Sequence, residues 1–383
     1  MLFWISTTLK VLVAIGFLAQ VAAILLWVER KQSAMMQNRI GPNRATIKIG
    51  RFEIRAAGLV HSIADGIKMV WKADWEPTGG DHLLYRLAPI IAIVPALCLC
   101  AVIPFGPTVF IDHARDLYDP AWAADAATAA RSVPLQIANL DVGVLFVFAV
   151  AGAGVIGAAL AGWSSDNKFS LMGGLRAASQ MVSYEVAMGI SLVGAMMIFQ
   201  TVRLDEMVTW QMQHCWGIFV QPVAFVLFCT AAIAETKRVP FDTPEGESEL
   251  VAGYFTEYAG LKMAMFASGE FVEVCVSSAL ITTIFLGGWQ FPFVQLTGFE
   301  FHYFGINISW HWAHFIVVAV SFLSFCLKCV FLIFMQLQVR WTLPRFRYDQ
   351  IMKLGWRMLL PAALLNVLVT GTVLLFLNSP SAH

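Results

Sequence analysis

The chain has 383 residues, 58% of them hydrophobic and only 13% charged, with a mean hydropathy of +0.70. A soluble domain carries about 25% charged residues, so this composition excludes a water-soluble globular protein and points to a polytopic membrane protein. The 25 Lys and Arg balance the 25 Asp and Glu, which leaves no electrostatic argument for a nucleic-acid partner.

A hydrocarbon core needs about 20 apolar residues per helix. Eight runs qualify, at about 3–28, 87–110, 140–162, 179–201, 217–236, 269–289, 314–335 and 357–377. Strand alternation is not found, so the predicted fold is all-α: a single polytopic domain over 1–383, built as an eight-transmembrane-helix bundle. The first run is interrupted by Lys10. It is too long for a signal-peptide core and is read as a retained first span.

Lys and Arg set the expected orientation. Loops 29–86, 163–178, 237–268 and 336–356, with Arg357 counted beside the last, hold twenty of them. The opposite loops hold three, Arg115, Arg131 and Arg203. The basic loops are therefore placed in the cytoplasm and both termini on the other side.

Span 1 ends at Glu29 and Arg30, and Arg39 follows before the turn signal Gly41-Pro42-Asn43. Arginines at this depth either snorkel to lipid headgroups or donate to the carbonyl oxygens of a polar-headed, apolar-tailed ligand, and the sequence leaves both readings open. From Ala57 to Lys72 the chain is amphipathic. Leu59, Ile63, Ile67, Val70 and Trp71 share one helical face and His61, Asp65, Lys68 and Lys72 the other. This predicts a helix lying in the membrane interface, either as an anchor or as the roof of a cavity.

The loop 111–139, with Asp112, Asp116, Asp119 and Asp125, reads as solvated. Glu185 lies in span 4, about two turns from its basic end, and Glu235 ends span 5. The stretch Ala234–Phe271 then carries Glu235, Asp242, Glu245, Glu247, Glu249, Glu257 and Glu270 between two apolar runs. Carboxylates so dense against hydrocarbon are costly unless used or compensated. Glu245 and Glu249 are one helical turn apart with Glu247 between them, and full ionisation of three packed carboxyls is unfavourable. Glu270 and Glu273 follow as an i,i+3 pair at the start of span 6.

The loop 290–313 is aromatic and carries His302 and His311, with His314 just beyond. These are read as interfacial residues rather than zinc ligands. The seven cysteines, including Cys326-Leu-Lys-Cys329, lie mostly in apolar runs and read as small buried residues. No metal site is legible, so any redox centre is expected on a partner.

These residues carry a resemblance. Glu29-Arg-Lys with Gln37-Asn-Arg-Ile-Gly-Pro-Asn43 resembles the first basic loop of the H-type membrane subunit family of NADH:quinone oxidoreductase, respiratory complex I. Ala64-Asp-Gly-Ile-Lys68, Gly162-Trp-Ser-Ser-Asp-Asn-Lys-Phe-Ser170, Ser183-Tyr-Glu185, Ala234-Glu-Thr-Lys-Arg-Val-Pro-Phe-Asp242, Glu245-Gly-Glu-Ser-Glu-Leu250, Glu257-Tyr258 and Leu343-Pro-Arg-Phe-Arg-Tyr-Asp-Gln350 are similar in the same order, over nearly the whole chain. The resemblance implies a chamber that admits ubiquinone or menaquinone from the bilayer, lined by Arg30, Arg39, Asp65 and Phe271. It implies a proton pathway through Glu185, Glu235, Glu245, Glu247, Glu249, Glu257 and Glu270.

The resemblance also implies partner membrane and peripheral subunits carrying the iron–sulfur clusters and FMN, and a place in the bacterial inner membrane rather than the mitochondrial one. Two departures stand out. Lys72-Ala-Asp74 replaces a usual Lys-Glu-Asp, and 45–56 and 291–313 look like insertions. A quinone-independent, hydrogenase-type ion translocase is the rival reading, disfavoured by the loop-1 motifs and the acidic loop. A stand-alone carrier is disfavoured because no internal repeat is evident.

Overall fold

The structure is a computed structural model that describes residues 2–49, 52–113, 115–119, 122, 125, 132–303 and 306–377. Among the described residues, seven helices are long and apolar enough to cross a bilayer: α1 (Leu2–Met36), α3 (His82–Leu99), α4 (Gly143–Ser164), α5 (Lys168–Phe199), α10 (Gly260–Phe285), α11 (His314–Thr342) and α12 (Tyr348–Leu377). The shorter α-helices among the described residues are α2 (Val60–Trp71), α6 (Leu204–Gln213), α7 (Gly217–Val220), α8 (Pro222–Glu235) and α9 (Glu247–Leu250).

The helices outrun the apolar runs that foretell them. Thus α1 continues to Met36 and α10 begins at Gly260, because the hydropathy limit marks hydrocarbon thickness while the backbone stays helical into the headgroup layer. For the same reason much of 163–178, expected as loop, is the first turns of α5. The run 217–236 is not one helix. It is α7 and α8, divided at Gln221 before Pro222, whose ring supplies no N–H to continue the first piece. Buried Gln221 donates to Thr370 Oγ1 (2.8 Å) and accepts from Asn366 Nδ2 (2.9 Å), which fastens the break to α12.

Two helices organise the packing. α5 lies against α4, α8 and α12, and α10 against α1, α3 and α11. Small residues let the backbones close up. A Cβ on Gly162 would meet the Ser170 carbonyl at 2.6 Å and the Gly174 Cα at 3.0 Å, so α4 and α5 touch backbone to backbone.

The expectation that the chain has no strands fails in the loops. Ile47–Ile49 pairs with Phe52–Ile54 within the 45–56 segment, and Val109–Phe110 pairs with Ser132–Val133. Val294–Gln295, Gly298–Tyr303 and Ile306–His311 form a three-stranded antiparallel sheet. Alternation is present there: Phe299, Phe301 and Tyr303 alternate with Glu300 and His302, and Ile306, Ile308 and Trp310 with Asn307 and Ser309. It is too short to stand out beside twenty-residue apolar runs. Arg131 and part of the loop 111–139 lie outside the described residues, as does the His302 side chain.

Candidate functional site

Loop 1 folds back on the end of α1. The Arg39 N–H donates to the Ala34 carbonyl (2.8 Å) and Lys31 Nζ to the Ile40 carbonyl (3.0 Å). Gly41 closes this turn at φ +79°, where a Cβ would lie 2.9 Å from Ala34 Cβ. The fold-back leaves a cavity of about 480 Å3 whose lining includes Glu29, Arg30, Arg39, Arg44, His61 and Trp341. The predicted amphipathic helix is α2. Asp65 on its polar face accepts from Arg30 Nη1, and His61 reaches the cavity. Its apolar face is open, with Ile63, Ile67, Val70 and Trp71 53–79% exposed, as suits an element meeting lipid or another chain.

Arg30 and Arg39 therefore share one cavity and Asp65 holds Arg30 in place. Phe271 is elsewhere. It is buried among Ala22, Leu25, Val274, Ile333 and Leu337, where α1, α10 and α11 meet. The Arg238 guanidinium stands 3.8 Å from its ring centroid.

Arg238 belongs to a segment that sequence reasoning places in water. The chain leaving α8 turns inward, and Lys237, Arg238, Asp242 and Thr243 are all 8% exposed or less. Fully buried Gln180 of α5 stitches it there. Its Nε2 donates to the carbonyls of Ala234 and Phe241, both at 2.7 Å, and its Oε1 accepts from Thr243 Oγ1. Sequence reasoning misses Gln180, since one amide in an apolar run carries no signal until its partners are known.

The inward turn assembles a line of charge. At the cavity, Glu29 accepts from Arg340 Nη1 (2.7 Å) and Arg238 Nη1 (3.1 Å). Arg238 Nη2 lies 3.8 Å from Glu270 Oε2, and Lys237 Nζ 3.7 Å from Glu273 Oε2. Asp242 pairs with Arg345 (2.7 Å), while its Oδ1 accepts the Glu245 N–H (3.3 Å). Burial pushes the Asp242 carboxyl up despite Arg345. Burial, reinforced by the charges of Glu270 and Asp242, pushes Glu245 up to about 8.

Deeper in, Glu235 lines a cavity of about 50 Å3 with Glu273 and Thr236, roomy enough for water, and interacts electrostatically with Glu273 and Glu185. The Glu185 carboxylate fills the space beside Gly152, 3.2 Å from where a Cβ would stand. Among the described residues, Glu185, Glu235 and Glu245 have no basic partner within ion-pair distance, unlike Glu29, Glu270 and Glu273.

Other predicted carboxylates lie off this line. Glu249, its side chain 52% exposed, pairs with Arg176 at 2.6 Å, and Glu257 accepts from Asn167 Nδ2 at 2.7 Å. The Glu247 side chain lies outside the described residues. Glu245 and Glu249 do not stand one helical turn apart on a common helix, because α9 begins at Glu247 and Glu245 precedes it. The like charges facing Glu245 are Glu270 and Asp242. Beyond Ala73, Lys262 Nζ binds Asp74 and Glu76, both at 2.8 Å, and Arg86 Nε binds Glu76 at 2.7 Å. Hydrogen bonds from Arg86 and Lys262 hold Glu76 down to about 2.

The arrangement joins a basic, semi-enclosed cavity to paired and then unpaired buried carboxyls, a layout able to relay a change of charge at the cavity into a change of proton content within the bundle. Residues 9–371 match the family model described as NADH dehydrogenase. The H-type subunit of the NADH-quinone oxidoreductase of Flavobacterium psychrophilum is 40% identical over 95% of this chain and 96% of its own length. The second H-type subunit of the Geobacter sulfurreducens enzyme is 41% identical (93% and 92%), and the first H-type subunit of the Cytophaga hutchinsonii enzyme 38% (91% and 91%). Matched end to end at this identity, the chain belongs to the NADH dehydrogenase family, that of the H-type membrane subunit of respiratory complex I.

Proposed function

We propose that the chain walls the chamber through which quinone leaves the bilayer in a proton-translocating NADH:quinone oxidoreductase, and that it couples quinone reduction to proton movement. The observation that carries this is the bridge at Arg238. One guanidinium joins Glu29, on the cavity lining, to Glu270, at the head of the buried carboxyls.

Arg30 and Arg39 donate to the quinone carbonyl oxygens, and Asp65 orients Arg30. Phe271 acts from behind, by holding Arg238. When quinone becomes quinol, or an anion passes through the cavity, the balance at Glu29 and Arg238 shifts. Glu270 and Glu245 respond first, Glu235 and Glu185 after them. Glu249 and Glu257 contribute from the loop surface, where they face Arg176 and Asn167. Iron–sulfur clusters and FMN reside in partner subunits, one of which closes the cavity. The protein lies in the bacterial inner membrane, with α7–α8 completing an eighth crossing and both termini periplasmic. A quinone-free ion translocase finds no support in the relatives' names.

Photolabelling of the intact complex with an azido-quinone tests the reading. Label on the peptides of Arg39 and Trp341, competed by excess unmodified quinone, is expected. Label confined to other subunits, or indifferent to competition, contradicts it.

A further inference from the structure

The opposite half of the bundle holds a second cavity, of about 360 Å3, between α1, α10 and α11. Val13, Phe17, Phe322 and Val330 form its rim and are 44–61% exposed, while Cys100, Ile103, Ala279 and Phe325 form its buried floor. Apolar side chains exposed along membrane-length helices face hydrocarbon or a neighbouring membrane subunit, so the cavity opens sideways, in the plane of the bilayer. The cluster containing Phe271, Val274 and Ile333 separates it from Arg238 and the charged line. Its size is that of a small-ligand site.

Among the described residues, one charged side chain lines it. Lys10 interrupts the first apolar run, and among the described residues its Nζ makes a single hydrogen bond, 3.3 Å to the Gln136 carbonyl. Among the described residues no carboxylate lines the cavity. An ammonium in such surroundings is costly unless it meets an anion. The cavity therefore combines a slot for hydrocarbon with one unmatched positive charge at its end. A phospholipid with net negative charge matches both features. A zwitterionic lipid brings an ammonium of its own, for which the lining offers no acceptor carboxylate.

We propose that this cavity seats an acyl chain of an anionic phospholipid whose phosphodiester pairs with Lys10. The site is separate from the quinone chamber and stands or falls independently of it.

The test uses the intact complex in nanodiscs with phosphatidylglycerol carrying a diazirine in one acyl chain, and the crosslinked peptides are mapped. Crosslinks are expected at Ala279, Phe325 and Cys326. They should fall about fivefold when phosphatidylcholine carries the same diazirine, the discrimination one basic residue provides. Lys10→Met should lower phosphatidylglycerol labelling by about the same factor, and Lys10→Arg should retain it. Equal labelling by the two lipids, labelling unchanged by Lys10→Met, or no label at these residues because a partner helix fills the slot would each overturn the proposal. The comparison of the two lipids on the unaltered complex stands even if a variant fails to assemble.

Discussion

The loop between α8 and α10 contains two acidic segments with opposite fates. Lys237–Glu245 turns into the bundle, where Arg238 and Asp242 are buried and Glu245 is shielded beside Glu270. In Glu247–Glu257 the apolar residues Leu250, Tyr254 and Phe255 are buried, while Glu249 is half exposed on Arg176 and Glu257 bonds Asn167. Both segments bear carboxylates, so their presence does not decide which acids are drawn inward. The decision lies with neighbours distant in sequence: Gln180, which holds the backbone of the first segment, and Arg340 and Arg345, which meet the acids beside it. An exposed ion pair is worth about 0–1 kcal/mol, whereas removing one member of a buried pair costs about 3–5 kcal/mol. Substitutions in the two segments should therefore separate sharply.

The largest effect is expected from Arg238→Met, which strips Glu29 and Glu270 of a shared partner. A loss of about 3–5 kcal/mol should show as reduced assembly in membranes, with quinone reductase activity nearly abolished in what does assemble. Gln180→Ala should come next, at about 1–3 kcal/mol for buried acceptors left unmet. Its specific sign would be proteolytic access to Lys237 and Arg238 in an otherwise assembled complex. Glu235→Gln, which keeps volume and removes the titratable proton, should leave assembly intact and lower coupled turnover about tenfold, equivalent to about 1.4 kcal/mol. Proton translocation by reconstituted vesicles is the measurement.

Glu245→Gln should act mainly through pH. An ordinary Glu ionises near 4.5, whereas Glu245 keeps its proton up to about 8. The folded state therefore binds more protons than the unfolded one between these values. Its contribution is complete below pH 4.5, declines as pH rises and is gone above 8. Thermal stability of the complex should fall from pH 5 to pH 8, and Glu245→Gln should flatten that slope. The smallest effect is expected at Glu249→Gln, within twofold on activity. A large loss of coupled activity there would erase the contrast between the two segments.

Much of this is legible in the sequence. Apolar runs mark the membrane spans, and α2 is visible in the spacing of Leu59, Ile63, Ile67 and Trp71. Arg30 and Arg39 stand out as candidate ligands, and the turn at Gly41 brings them to one cavity. What escapes has physical reasons. Hydropathy passes over the break at Pro222 because it ignores the missing N–H. Charge bias places Arg238 and Arg340 in the cytoplasmic loops, since it orients loops without saying which of them fold inward. Phe271 follows Glu270 in sequence, and consecutive helical residues point about 100° apart. Its side chain turns instead to the junction of α1 and α11.

The central claim is that occupation of the cavity changes the protonation of carboxyls buried behind Arg238. Infrared difference spectroscopy of the intact complex, with and without a quinone-site ligand, measures this through the C=O stretch of protonated carboxyls. The account predicts a ligand-induced band in that region, altered by Glu245→Gln and Glu235→Gln and unaffected by Glu249→Gln. Ligand binding that leaves the carboxyl region flat, or a band indifferent to both inner substitutions, would contradict it.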